Sequence, residues 1–107
     1  MRVTLHIGNI LVEGSHQVIA GRCIHGPLKV GDRFTSIYTG QLNPDYSTQW
    51  IPQSGVIELR IERLETYGTV METIDEGLTL EAWVSGHGFE ILKLGQSVSN
   101  DSTLAKQ

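Results

Sequence analysis

Four histidines (His6, His16, His25 and His87), one cysteine (Cys23) and a set of acidic residues are the side chains here that could do chemistry. No two histidines stand at the spacing that puts two imidazoles on one helix face. Nor do the carboxylates fall into a zinc pattern, so the histidines read as surface or turn residues and no metal is expected. Cys23 lies between Arg22 and His25, a cationic setting of the kind that activates a thiolate. A lone cysteine in an apolar strand is more simply a small core residue. It also excludes an internal disulfide. Asp75-Glu76 sits in a turn, where two carboxylates are solvated rather than held at different pKa values for acid–base work. Gly86-His87-Gly88 is only a fragment of a phosphate-binding glycine pattern. No catalytic set can be assembled, no cofactor is implied, and the chain reads as a non-enzyme.

The stretch richest in recognition chemistry is "TGQLNPDYSTQWIPQSG", residues 39–55. It joins two strands by a longer excursion than a hairpin requires, and long ordered loops often carry function. Tyr46 and Trp50 stand among Asp45, Gln49 and other polar residues, with Pro44 and Pro52 stiffening the flanks. Aromatics so placed anchor protein interfaces. The same residues allow a structural reading, in which Trp50 and Ile51 fold back to plug the end of a barrel. Trp83 is the other candidate contact residue. Strict alternation sets it opposite Leu80, Ala82 and Val84, so it points outward.

These side chains must be positioned by strands. Val3, Leu5 and Ile7 alternate with Arg2, Thr4 and His6; Leu78, Leu80, Ala82 and Val84 alternate with Thr79, Glu81, Trp83 and Ser85. Such a period of two marks strands with one buried face. "HQVIAGRCIH" (16–25) is apolar on both faces, as a central strand is, and Gly21 marks a bend or bulge within it. Glycine-containing turns recur at Gly14, Gly26, Gly31, Gly77, Gly86 and Gly95, spaced as in a barrel or sandwich. "VIELRIERLETYG" (56–68) is ambiguous. Ile57, Ile61 and Leu64 have helical spacing, whereas Ile57, Leu59 and Ile61 alternate as in a strand. A strand needs a β-bulge near Arg63 to bring Leu64 back into phase.

The fourteen residues "GRCIHGPLKVGDRF" (21–34) turn the chain twice. Gly26 is expected to take positive φ, Pro27 to end the ladder, and Leu28 and Val30 to anchor the loop, before Gly31-Asp32 turns into the next strand. The pattern Gly-Arg-x-x-x-Gly-x-Leu-x-Val-Gly-Asp resembles the second-domain β-barrel of translational GTPases such as elongation factor Tu. Residues 10–34, 57–86 and 89–98 are similar in order and spacing to successive segments of that barrel. The resemblance implies an all-β, Greek-key, closed or nearly closed barrel of six to seven strands, and it favours a strand over 56–68. It covers residues 3–98; residues 1–98 read as one domain, leaving 99–107 as a polar, flexible C-terminal tail. The chain lacks Gly-x-x-x-x-Gly-Lys-Ser/Thr, so GTP hydrolysis is not expected. Ile7-Gly8-Asn9-Ile10 also carries neither the acid nor the aromatic residue with which the family holds the aminoacyl end of tRNA.

Charge narrows the partner. Twelve acidic residues stand against eight basic, a net charge of −4, and Arg60 and Arg63 are surrounded by Glu58, Glu62 and Glu65. Nucleic-acid backbones are held by clustered Lys and Arg, so nucleic acid is not the expected partner. The amino-terminal residues lack the apolar core of a secretory leader and no apolar run reaches membrane-spanning length, which gives a cytoplasmic expectation. The composite reading is a protein-interaction module using residues 39–55 and adjoining strand ends, in the manner of an inhibitor or immunity partner masking a basic toxin. The alternatives are a tRNA- or ribosome-associated adaptor, suggested by the resemblance, and a small-molecule binder at the barrel mouth.

Overall fold

The computed structural model describes residues 1–104. It is all-β. The main elements are β1 (Thr4–Glu13), β2 (His16–His25), β3 (Leu28–Lys29), β4 (Arg33–Phe34), β5 (Ser36–Leu42), β6 (Thr48–Pro52), β7 (Glu58–Thr66), β8 (Thr69–Met71), β9 (Thr73–Ile74), β10 (Thr79–His87) and β11 (Gln96–Ser99), with a 3₁₀ turn at Phe89–Ile91. Nine strands form one strongly curled, half-barrel sheet in the order β4-β7-β10-β2-β1-β11-β5-β6, with β8 on β7; β3 and β9 make a separate two-stranded clasp. Every pairing is antiparallel. β4 leads into β5 across Thr35, whose N–H donates to Ser99 O at 2.9 Å. The β4–β5 run therefore touches β7 at one end and β11 at the other.

The curl follows from side-chain volume on its two faces. Val3, Leu5, Ile7, Ile19, Cys23, Phe34, Ile37, Leu59, Ile61, Leu64, Leu80, Ala82 and Val98 pack as one buried cluster on the concave side. The alternation anticipated in β1 and β10 holds for Leu5, Ile7, Leu80, Ala82 and Val84, while Leu78 precedes β10 and is exposed. Residues 58–66 are a strand. Trp83 pairs with Arg63 and Val84 with Ile61, so Glu62 is the extra residue and the bulge falls where the phase slips. Leu59, Ile61 and Leu64 are all fully buried as a result.

A second bulge lies across from Gly21. Ile7 pairs with Gly21 and Asn9 with Ala20, leaving Gly8 extra on β1. A Cβ on Gly21 would collide with the carbonyl of His6. The tight pair of turns after β2 differs from expectation in one respect. Positive φ is found at Gly31 (96°) and not at Gly26. Gly26 is needed for space instead, since a Cβ there would lie 2.7 Å from Cys23 Sγ. Leu28 anchors the loop, fully buried against Ile74 across the β3–β9 clasp, while Val30 is exposed.

Part of the carboxy-terminal segment is tied down. Arg2 Nε donates to Asp101 Oδ2 at 2.9 Å, Tyr38 Oη donates to Asp101 O at 2.8 Å, and Leu104 is buried. The rest of the expected tail, 105–107, lies outside the described residues. No helix among the described residues is long and apolar enough to cross a membrane.

Candidate functional site

Residues 39–55 form a β-hairpin arm where a long loop is expected from the sequence. β5 and β6 pair in unshifted register from Tyr38↔Pro52 through Gly40↔Trp50 to Leu42↔Thr48, closed by a turn at 43–47. The turn is built by its polar residues. Asn43 N–H donates to Ser47 O at 2.8 Å; Asp45 Oδ1 accepts from Ser47 N–H at 3.0 Å and from Ser47 Oγ at 2.6 Å. These bonds hold the Asp45 carboxyl below the usual carboxylate range. Tyr46 takes φ 68° at the turn, which throws its ring outward to 84% exposure. Sequence reading missed the hairpin because its strands are polar and the alternation of a two-sided solvent arm has no hydrophobic phase.

Trp50 is half-buried, and it plugs nothing inside the curl. Its indole lies 5.8 Å from the His25 ring and 6.4 Å, edge-on, from Tyr38. Tyr38 is buried but stands outside the core cluster, so the contact is on the convex face. There Trp50 leans across the narrow, side-chain-free surface of Gly40 to reach β2. Beneath it runs a polar chain: His25 Nδ1 to Thr4 Oγ1 at 2.8 Å, Thr4 Oγ1 to Ser99 Oγ at 3.0 Å, and Ser99 Oγ to Val3 O at 2.9 Å. Burial is the main cause that lowers the His25 pKa, with Arg2 adding to it. Thr4 and Ser99 are fully buried, so this hydroxyl–imidazole chain ties β1, β2 and β11 together and offers no exposed nucleophile. Trp50, Leu42, Thr48, Ile24 and His6 line a cleft of about 250 Å³ between the arm and the convex face.

The other singled-out residues disperse. Gln49 is exposed on β6, on the face opposite Trp50. Trp83 points outward from β10 and is half covered, with the Arg63 guanidinium carbon 5.1 Å from its ring centroid. That arrangement is a cation–π contact, a covered face of the kind an outward tryptophan requires. Thus Asp45, Tyr46, Gln49 and Trp50 share the arm, and Trp83 belongs to a different surface. Cys23 is fully buried, its Sγ 3.4 Å from His25 O, and desolvation raises its pKa; this is a core thiol. His6, His16 and His87 are exposed, and no three His, Cys, Asp or Glu among the described residues gather as a metal group.

One surface had no counterpart in the sequence reading. A groove of about 500 Å³ crosses the convex face, floored by Gly8, Ala20 and Gly21 and edged by Arg22, Glu65 and Glu81. Its floor is empty because β1 and β2 meet there with minimal side chains. Glu65 and Glu81 face each other across β7 and β10, and Arg63 Nη2 lies 2.9 Å from Glu65 Oε2. Only the register places these residues together, and the register depends on both bulges.

Compared with known proteins, the chain matches no family model and no curated sequence.

Proposed function

We propose that this protein is a non-enzymatic protein-interaction module whose contact surface is the 39–55 arm with the strand ends beside it. The observation that supports the reading is the presence of exposed apolar side chains on an element whose one charged residue is Asp45. Leu42, Tyr46 and Val56 are 66%, 84% and 77% exposed, and no charged residue occurs between Asp45 and Glu58. Leu42 and Tyr46 stand together at the tip of the arm, and exposed apolar surface gathered in this way marks interaction sites. Trp50 gives the arm a rigid root, which lowers the ordering cost of binding. The acidic remainder of the molecule favours a basic partner, as an inhibitor or immunity protein would meet. Encounter with such a partner is steered by charge and slows as salt rises.

The scaffold reading that accompanies this is a closed or nearly closed Greek-key barrel of six to seven strands, of the translation-factor second-domain type. It is supported by β4 reaching β7 through Arg33↔Arg60 and Phe34↔Leu59 while the same run continues into β5. The adaptor alternative needs phosphate contacts. Arg2, Arg33, Arg60 and Arg63 each lie within 4.0 Å of a carboxylate oxygen, an arrangement that favours protein over nucleic acid.

The test is capture from the native lysate by the wild-type chain and by Leu42→Ser/Tyr46→Ser, two exposed positions whose exchange leaves folding intact. A partner held by the wild type and lost by the double variant is expected. Retention of every partner by the double variant would overturn the arm as the contact surface. Filter binding to tRNA across a salt series separates the adaptor alternative, since phosphate-driven binding weakens steeply with salt.

A further inference from the structure

We propose that β6 is a self-association edge: two copies of the chain pair their β6 strands antiparallel about a two-fold axis passing beside Gln49. β6 pairs only with β5, so its other side is an open sheet edge among the described residues. The direction of its backbone groups can be read from the ladder. Asn43 N–H donates to Ser47 O at 2.8 Å and Gln53 N–H to Ile37 O at 2.9 Å. In an antiparallel ladder hydrogen-bonded pairs alternate with non-bonded ones. The bonded pairs in this register are therefore 43/47, 41/49, 39/51 and 37/53, and the N–H and C=O of Thr48 and Trp50 point away from β5.

That outward row is its own complement. A copy turned about an axis at Gln49 sets Thr48 against the second copy's Trp50 and Trp50 against its Thr48, each pair able to exchange two backbone hydrogen bonds. The row is also bounded at one end. Pro52 has no N–H to offer, and Gln53 Nε2 donates to both Ile51 O and Pro52 O, at 3.2 and 3.3 Å. A partner strand of the same short length fits this ladder, and β6 itself is that strand.

The uncharged edge is where a second, like-charged copy can approach. Two chains of net charge −4 repel through most of their surfaces, whereas residues 46–57 carry no charge and Asp45 is folded back onto Ser47. Apart from Pro52 at its end, the edge carries none of the usual devices against strand addition along Thr48–Ile51: no lysine, no inward charge and no register shift along β5–β6. Pairing extends the row Leu42–Thr48 into the second copy's Trp50–Gly40, so the apolar side of the arm is continued across the two-fold axis. Tyr46, at the turn, stays clear of the paired backbone.

The experiment is sedimentation equilibrium of the full chain from low micromolar to near-millimolar concentration, with charge variants at Gln49. This exposed residue meets its symmetry mate directly, at the short spacing of a non-bonded cross-strand pair. The wild type is expected to rise from 11.8 kDa to twice that mass. Gln49→Lys and Gln49→Glu are each expected to stay monomeric with unchanged melting temperature, and an equimolar mixture of the two to recover the doubled mass. A wild type monomeric throughout, or a dimer indifferent to both single variants, would overturn the proposal. Either result leaves the partner-binding reading standing, because that reading is tested at Leu42 and Tyr46.

Discussion

Trp50 and His25 show how much of this surface depends on individual side chains. The indole fastens the arm to the convex face through His25 and Tyr38. Truncating Trp50→Ala should cost about 1–2 kcal/mol, less than the ~3–5 kcal/mol of a fully buried aromatic, and should leave the arm detached while the core stays folded. Chemical denaturation with near-ultraviolet dichroism reads both effects. His25 also makes stability depend on pH. Its folded-state pKa is lowered by burial, so the unfolded chain binds the proton more readily. Stability should accordingly fall as pH drops below about 6.5, the unfolded histidine value, and level off once the folded ring also titrates. Arg2, Glu76 and Asp101 share this corner. His25→Asn should flatten that part of the profile. Asp101 acts lower down: its carboxyl is held at about 2, chiefly by Thr103 and then Arg2. Its contribution is present above the ordinary carboxylate range and lost on acidification toward 2. At this scale the sequence was informative about type and silent about neighbours. Cys23 as a core thiol was legible from the burial habit of lone cysteines, and Trp83 as an outward ring from alternation. The meeting of Trp50 with His25 was not, because it joins residues from non-adjacent strands.

Among the elements, β7 and the arm are the instructive contrast. β7 was readable because its apolar residues must fill the concave side: Leu59, Ile61 and Leu64 can all be buried only if one residue is extruded, and Glu62 is that residue. Deleting Glu62 would remove the bulge and leave Leu59, Ile61 and Leu64 on one face by strict alternation, so the variant should still fold with Leu64 buried; a loss of more than roughly 2 kcal/mol, the low end for a lost core leucine, would contradict this. Thermal melting measures it. The arm gave no such signal, since neither of its faces fills the core and its polar alternation carries no phase. Its turn was nonetheless foreshadowed by Asn43, Pro44, Asp45 and Ser47, which are turn formers by backbone and hydrogen-bonding preference. The order of strands was not legible, because pairing of β1 with β11 joins residues nearly the whole chain apart.

Over the whole molecule, the curled sheet divides labour between two faces. The concave side is filled by aliphatic residues from at least six strands, which fixes the register and both bulges. The convex side then receives whatever polar and aromatic residues the alternation leaves, and these make the arm root, the cation–π pair at Trp83 and the small-residue groove. Opposite ends of the chain are brought together there, with Val3 N–H donating to Asn100 Oδ1 at 2.8 Å and Arg2 bonded to Asp101. Phe34 occupies the point where the β4–β5 run meets β7, and it is fully buried. Phe34→Ala should lower stability by about 3–5 kcal/mol and loosen β4 from β7 first, visible as faster amide exchange at Gly31 and Ile61, whose N–H groups bond Ile61 O and Asp32 O across that seam.

The central claim is that residues 39–55 are a structured arm, rooted by Trp50 and open along one edge. Nuclear Overhauser contacts in dilute solution test it most directly. The account predicts close Hα contacts for the non-bonded pairs Gly40–Trp50 and Leu42–Thr48, together with indole-to-imidazole contacts between Trp50 and His25. Absence of those cross-strand contacts, with every amide of 39–55 exchanging at the rate of an unstructured peptide, would contradict it.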